Sequence, residues 1–182
     1  MKKPQQIYNL EIPDDDYKIA ALMEHDKANF ESSKIWLYVG ADSKNERFAK
    51  VGITMGDLGS RSYCSGNPHY HLFCAFQCYI HTTKLQLESI EKLALKHLDS
   101  LFPDCRVHHY ESGKLSECYD DIDFETFLIS LHDYLLDNHR NYFQTVAIDG
   151  EGYEGAYELA CEFNRHLPLE VGSRFRRLFV RF

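Results

Sequence analysis

The segment from Ile35 to Arg61 reads IWLYVGADSKNERFAKVGITMGDLGSR and contains two short apolar runs separated by a polar loop. Short runs rich in β-branched and aromatic residues and bounded by turn-forming residues predict two β-strands. Side chains alternate between the two faces of a strand. If these strands pair as a hairpin, Tyr38 and Lys50 therefore lie on one face, and each is followed two residues later by a glycine.

This face has the chemistry of a phosphate site rather than of a core. Tyr38 supplies a phenol, Lys50 supplies an ammonium group, and Arg61 supplies a guanidinium shortly after the second strand. Gly40 and Gly52 leave stretches of bare backbone that a ligand or another backbone can approach closely. A lysine in an otherwise apolar strand lies either at an exposed sheet edge or in a site.

These residues resemble the motifs of the GIY-YIG nucleases. The first motif is read as Leu37-Tyr38-Val39 and the second as Lys50-Val51-Gly52, which is similar to the phage-rich branch in which lysine replaces the second tyrosine. The family's arginine matches Arg61, and its metal-binding glutamate, on the next long helix, matches Glu91. The resemblance covers residues 34–120 and includes two further elements, Ser65-Gly66-Asn67-Pro68 and Ser116-Glu117-Cys118-Tyr119.

The resemblance implies a metal-dependent endonuclease that hydrolyses phosphodiester bonds in DNA, with duplex DNA as the expected substrate. Glu91 would bind one Mg²⁺ or Mn²⁺, and Arg61 would hold the charge that develops on the non-bridging phosphate oxygens. Lys50 would take a proton from the attacking water, with Tyr38 orienting that water or sharing the role of base. The expected products carry 3′-hydroxyl and 5′-phosphate ends.

The helix predicted from Lys84 to Leu101 gives an independent reason to single out Glu91. Apolar residues recur along it at spacings of three and four, which defines a buried stripe, and Glu91 falls on that stripe. A carboxylate buried there is costly in free energy unless a cation or several donors satisfy it. Two interpretations remain open, a bound metal ion or a structural salt bridge to Arg61 or Lys50. The stripe consists of Leu87, Ile90, Ala94, Leu98 and Leu101.

The order of the predicted elements indicates an α+β fold in which a small, central, antiparallel sheet of three strands is flanked by helices. The third strand is expected over residues 69–80. Outside the sheet and the long helix we expect helices at 17–30, from Asp123 and at 153–166, and a strand at 143–148. The predicted organisation is an N-terminal helical extension (1–33), a nuclease-like domain (34–120) and a C-terminal helical extension with a basic tail (121–182).

The distribution of charge separates the C-terminal tail from the rest of the chain. The formal net charge is −8, which is unusual for a protein that binds a polyanion. Residues 165–182 contain five arginines and one glutamate and so carry +4, which leaves −12, the difference between −8 and +4, for residues 1–164. The tail is either an arm that follows a nucleic-acid backbone or an edge strand with solvated arginines. The candidate nucleic-acid-binding residues are Arg174, Arg176, Arg177 and Arg181.

The acidic body of the chain supports a second hypothesis, a non-catalytic nucleic-acid-binding or inhibitory module that mimics DNA. Six cysteines without a secretory signal are typical of reduced thiols. No apolar run approaches the length of about 18 residues that a membrane-spanning helix needs. We therefore expect a cytoplasmic protein that does not bind a membrane.

Overall fold

The computed structural model describes residues 34–61, 66–148 and 155–181, together with a few isolated positions before residue 34. The N-terminal helix predicted over residues 17–30 lies almost wholly outside the described residues. Short 3₁₀ turns lie at Gly59–Arg61 and Arg140–Tyr142. The strands and helices are β1 Trp36–Asp42, β2 Ala49–Thr54, β3 Tyr70–Gln77, α1 Lys84–Leu101, β4 Arg106–His108, β5 Leu115–Tyr119, α2 Phe124–His139, β6 Thr145–Ala147, β7 Tyr157–Leu159, β8 Cys161–Phe163 and α3 Leu169–Phe179.

The main sheet has six antiparallel strands in the order β4-β5-β2-β1-β3-β8. The α+β class is therefore confirmed, whereas the prediction of a three-stranded sheet is wrong. The β4–β5 hairpin adds two strands on one side, where β5 pairs with Ala49 and Lys50 of β2. On the other side β8 pairs with β3 between Cys74 and Phe76.

Strands β7 and β8 replace the helix predicted over residues 153–166. The segment contains the helix-forming residues Glu, Leu and Ala, which favoured a helix. Its apolar residues alternate, however, at Tyr157, Leu159, Cys161 and Phe163, and this period of two is the pattern of a strand. Pairing with β3 and with β6 satisfies the backbone of both strands, so the tertiary context overrides local propensity.

Helix α1 begins and ends at the predicted residues because its caps are encoded locally. The hydroxyl of Thr83 accepts a hydrogen bond from the backbone N–H of Gln86 at 3.3 Å, and the Gln86 side chain accepts one from the backbone N–H of Thr83 at 2.9 Å. This is a capping box. Helix α2 begins after Asp123, as predicted, where the carboxylate accepts from the N–H of Thr126 at 2.8 Å. No helix in the described part of the chain is long and apolar enough to cross a membrane.

Strand β1 is buried on both of its faces. One face carries Leu37 and Val39 into the main core, which α1 and α2 cover. The opposite face carries Trp36 and Tyr38 into a smaller apolar cluster with Leu72, Ala75 and Leu58. The predicted boundary between residues 120 and 121 falls within this architecture, because β8 shares the sheet of β1 and residues of α2 share its core.

The basic tail forms a helix, α3, and the interpretation as an edge strand is wrong. Phe175 and Phe179 are four residues apart, so a helix places them on one face. Both are buried, and their rings contact Phe163 and each other. The ring of Phe179 also stacks on the fully buried His132 of α2 at 4.4 Å between centroids. The tail therefore contributes to the core.

Phe179→Ala is expected to lower the free energy of unfolding by about 3–5 kcal/mol, because it removes a fully buried aromatic ring and leaves a cavity. Leu169→Ala on the same helix is the matched control, since Leu169 is 87% exposed and its loss should change stability by less than about 0.5 kcal/mol. Urea unfolding followed by circular dichroism measures both. Equal effects from the two substitutions would show that α3 does not depend on the core.

Candidate functional site

The pairing of β1 with β2 decides which side chains meet on the face away from the main core. Tyr38 lies opposite Gly52, and Gly40 lies opposite Lys50. Directly opposed residues of an antiparallel pair project on the same face. The hairpin assumed from the sequence is therefore present, and Tyr38 and Lys50 share a face.

The two glycines on this face receive tyrosine rings rather than leaving open backbone for a ligand. A Cβ atom at Gly52 would lie 2.5 Å from the Tyr38 hydroxyl oxygen and 2.5 Å from Cζ of the same ring. A Cβ at Gly40 would collide with the ring of Tyr70 in the same way. The expectation of bare backbone at Gly40 and Gly52 is wrong, because their missing side chains make room for aromatic ones.

The Tyr38 hydroxyl is held in an environment that keeps it protonated. Burial raises the pKa of Tyr38 to about 12, against the opposing effect of the Arg61 guanidinium, and the carboxylates of Glu117 and Glu91 act in the same direction as burial. Near neutral pH the phenol is therefore a hydrogen-bonding group and not a phenolate. Arg61, Glu117 and Glu91, which belong to three different elements, all influence the pKa of this one hydroxyl.

Glu91 carries the clearest electrostatic signature of the site. Burial raises the pKa of its carboxyl to about 7, with Glu117 and Glu88 acting in the same direction and Lys50 and Arg106 opposing. Its Oε1 atom is buried and has no hydrogen-bond partner among the described residues. An unpaired buried carboxylate oxygen is costly to leave unsatisfied.

The structural salt bridge offered as the alternative for Glu91 is not formed within the described part of the chain. Lys50 pairs instead with Glu117, at 3.8 Å between Nζ and Oε2. Glu117 was matched to a closing element of the resemblance but was not among the predicted site residues. Lys50 lies opposite Cys118 in the β2–β5 pairing. This pairing brings Glu117 close to Lys50, although the two residues are 67 positions apart in the chain, the difference between 117 and 50.

Arg61 ends the 3₁₀ turn Gly59–Arg61 and is exposed. Its backbone N–H donates to the carbonyl of Leu58 at 2.9 Å, and Leu58 packs in the apolar cluster around Tyr38. The turn is thereby anchored next to Tyr38. Arg61 and Glu91 both influence the pKa of Tyr38, and Lys50 influences that of Glu91, although α1 packs on the sheet face opposite to Tyr38. A common catalytic site for these four residues stays a prediction.

The predicted nucleic-acid-binding arginines do not act on this group. None of them is among the charged residues that influence Tyr38 or Glu91. Three form ion pairs within the chain: Arg174 with Glu125, Arg176 with Glu158 at 2.8 Å, and Arg181 with Asp133 at 2.6 Å. Arg177 is exposed and has no ion-pair partner among the described residues.

Two cavities flank the site, and their chemistry differs. The larger, about 890 Å³, lies along β3 and β8 and reaches Gly59 of the turn that carries Arg61. Its two acids are already engaged, since Glu162 pairs with Lys34 at 3.2 Å and Asp57 accepts from the N–H of Gly59 at 2.7 Å. The smaller, about 630 Å³, is lined by Glu91 and Arg106. The unsatisfied charge lies in the smaller cavity.

The predicted divalent cation is compatible with Glu91 on chemical grounds. Among the described residues there is no group of three or more His, Cys, Asp or Glu side chains arranged to hold a metal ion. Magnesium, however, usually keeps several waters and binds through one or two carboxylates together with substrate phosphates. The unpartnered Oε1 of Glu91 fits such a ligand, because a cation would supply the missing counter-charge.

No family model, curated protein or solved structure matches this chain. Membership of the GIY-YIG nucleases therefore stays a prediction that rests on the motif residues and their arrangement. What the fold and site define is an α+β protein with a half-buried carboxylate, one oxygen of which is buried without a partner among the described residues, together with a sheet face that carries a phenol and an ammonium group.

Gly52→Ala is expected to lower the free energy of unfolding by about 1–3 kcal/mol, because its Cβ would overlap the ring of Tyr38, which is only 4% exposed and has no room to move aside. Gly172→Ala in α3 is the matched control. There the nearest atom to a new Cβ is 3.5 Å away, and alanine stabilises a helix by about 0.5–1 kcal/mol relative to glycine. Urea unfolding should give changes of opposite sign, and a neutral Gly52→Ala would contradict the described packing.

Replacing Glu91 with glutamine should change stability in a pH-dependent way. Because the folded carboxyl has a pKa of about 7 and its ordinary value is 4.5, the unfolded chain ionises first as pH rises. The stability that this group contributes is complete below the lower pKa and is lost as pH rises through the higher one. Relative to wild type, Glu91→Gln should therefore become more stable between pH 5 and pH 8, by on the order of 1–2 kcal/mol after discounting for solvent screening.

Urea unfolding in EDTA at several pH values measures this difference. Glu88→Gln is the control, because Glu88 is exposed, lies one helical turn from Glu91 and pairs with Lys84 at 3.6 Å. Its difference from wild type should vary little with pH, as is usual for surface ion pairs. A Glu91→Gln difference that is flat across the same range would mean that the carboxylate is solvated.

Proposed function

We propose that this protein is a GIY-YIG-type endonuclease, a metal-dependent hydrolase that cleaves phosphodiester bonds in DNA by a one-metal mechanism. The observation that carries the proposal is the Glu91 carboxylate, which has one buried oxygen without a partner among the described residues and whose pKa Lys50 influences; Glu91 and Arg61 both influence the pKa of Tyr38. A core has no use for this combination. A phosphodiester and a divalent cation together supply the charges that these side chains lack.

In this proposal Glu91 holds Mg²⁺ or Mn²⁺. The bound ion supplies Lewis-acid stabilisation of the scissile phosphate and of the leaving oxygen. Arg61 donates hydrogen bonds to the non-bridging oxygens, on which charge develops during hydrolysis. Its exposure and its short anchoring turn leave the guanidinium accessible to a substrate.

In this proposal Lys50, and not Tyr38, is the general base that accepts a proton from the attacking water. The raised pKa of Tyr38 keeps its phenol protonated, so that it orients the water by a hydrogen bond. Lys50 accepts the proton as the neutral amine, so its ammonium group must first give up a proton to solvent, and Glu117, 3.8 Å from its Nζ, stabilises the ammonium group that forms again. Glu117 thus joins the four predicted residues as a positioning residue.

Double-stranded DNA as substrate and a cytoplasmic location are parts of the same proposal and follow from the resemblance and from the cysteine content. A non-catalytic DNA-mimic-like module is the second candidate. The net charge of −8 and the internal pairing of three tail arginines favour it, because both leave an acidic surface. A mimic, however, gains nothing from a buried carboxylate beside Lys50.

Glu91→Gln and Arg61→Ala are each expected to lower the cleavage rate at saturating DNA at least about 10²–10³-fold, since each removes a preorganised charge from the transition state. The substrates are supercoiled, linear and single-stranded DNA, incubated with Mg²⁺ or Mn²⁺. Glu170→Gln, which makes the same charge change on the exposed first turn of α3, should cleave at the wild-type rate.

Near-ultraviolet and far-ultraviolet circular dichroism should show that all three variants are folded. Cleavage by Glu91→Gln at the wild-type rate would rule out the metal assignment. If the wild-type protein binds DNA without cleaving any substrate, or instead inhibits an unrelated nuclease, the second candidate replaces the first.

A further inference from the structure

The smaller cavity extends from Glu91 along the exposed side of α1 towards β4. Lys92 and Lys96 line it from α1, one helical turn apart, so their side chains lie on the same helix face. Arg106 lines it from β4. Three cationic side chains from two elements therefore surround the space next to the unpaired carboxylate.

The acids of this cavity pair with only one of these three cations, Arg106. Asp99 is occupied, since it accepts from Arg106 at 2.9 Å and from the hydroxyl of Tyr119 at 2.7 Å. Lys92 and Lys96 are exposed and have no ion-pair partner among the described residues. In an acidic protein, this is a local excess of positive charge directly beside the candidate catalytic group.

The cations differ in how firmly they are held. Arg106 has a side chain that is only 16% exposed, and it is fixed by Asp99 and by the carbonyl of Ser116 at 2.6 Å. A fixed guanidinium offers oriented donors, whereas the two lysines are flexible point charges that suit a phosphate. Arg106, like three of the four tail arginines, is already paired, so the available cations of this cavity are Lys92 and Lys96.

We propose that Lys92 and Lys96, next to the paired Arg106, form a subsite for a backbone phosphate of the DNA strand that flanks the scissile phosphate. This inference rests on the proposed function and extends it. It directs the bound strand along α1 towards the β4–β5 hairpin and assigns backbone affinity to α1 instead of to α3. Lys92 and Lys96 are binding residues that take no part in the chemical step.

The double variant Lys92→Ala/Lys96→Ala tests the subsite by binding, in EDTA so that metal-dependent cleavage is absent. Fluorescence anisotropy of a labelled DNA duplex is measured from low to moderate salt. Two lost phosphate contacts should reduce the slope of log K against log salt by about 1.8, since each contributes about 0.9 for duplex DNA. With Mg²⁺, the KM of the variant should rise several-fold while the rate at saturating DNA stays within about twofold of wild type.

Lys44→Ala/Lys84→Ala is the matched control. It removes the same two charges from exposed positions outside the cavity, one of them on the same helix, and its slope should equal that of wild type because charges beyond about 8 Å are screened at physiological salt. Equal slopes for wild type and the Lys92/Lys96 variant, with binding intact, would overturn the subsite alone. Equal losses in both double variants would also overturn it, as an effect of net charge. Absence of any binding by wild type would overturn the subsite and the DNA-binding part of the proposed function together.

Discussion

The register between β1 and β2 is the constraint on which the rest of the structure depends. In the observed pairing, Leu37 and Val39 face the helices while Tyr38 and Lys50 face away from them. A slip of one residue would exchange the two faces and place an ammonium group in the apolar core. Burial on both sides of β1 makes such a slip costly, because Trp36 would also lose its cluster. The position of the candidate site is thus determined by the packing of the core.

Partial burial of Glu91 follows from the same arrangement. Helix α1 needs its apolar stripe against the sheet, and Glu91 lies on that stripe between Leu87 and Ala94. Glu91 is half-buried there, and its Oε1 atom is shielded from solvent by this packing. Destabilising features of this kind persist only when the surrounding structure determines them, and they are concentrated at functional sites. The pKa of Glu91 is raised to about 7 because the packing of α1 partly removes its carboxylate from water.

Three arginines in and directly after the C-terminal helix hold α3 in place. Arg181 and Arg174 pair with α2, through Asp133 and Glu125, while Arg176 pairs with Glu158 of β7. Together with the buried faces of Phe175 and Phe179, these contacts dock α3 onto the core. Much of the positive charge of the tail is thereby balanced by acids of the chain's own body, which accounts for part of the imbalance along the sequence.

Local sequence determined the elements whose signals are contained within them. The capping box of α1, the cap of α2 at Asp123 and the alternation around Tyr38 are short-range patterns, and each predicted its element correctly. The stripe on α1 also singled out Glu91 without reference to any other part of the chain, and the structure leaves this residue half-buried, with its Oε1 atom buried. The spacing of Phe175 and Phe179 held a comparable signal for a helix, but the alternation of arginine with apolar residues obscured it.

Tertiary structure alone decided what depends on pairing between distant segments. The addition of β4, β5 and β8 to the sheet, the closeness of Glu117 to Lys50 and the filling of Gly40 and Gly52 by tyrosine rings all result from such pairing. So does the neutralisation of the tail arginines by acids of α2 and β7. A sequence pattern records the chemical type and local period of each residue. The ion pairs are determined only when strands and helices pack against each other, because packing brings together residues that are far apart in the chain.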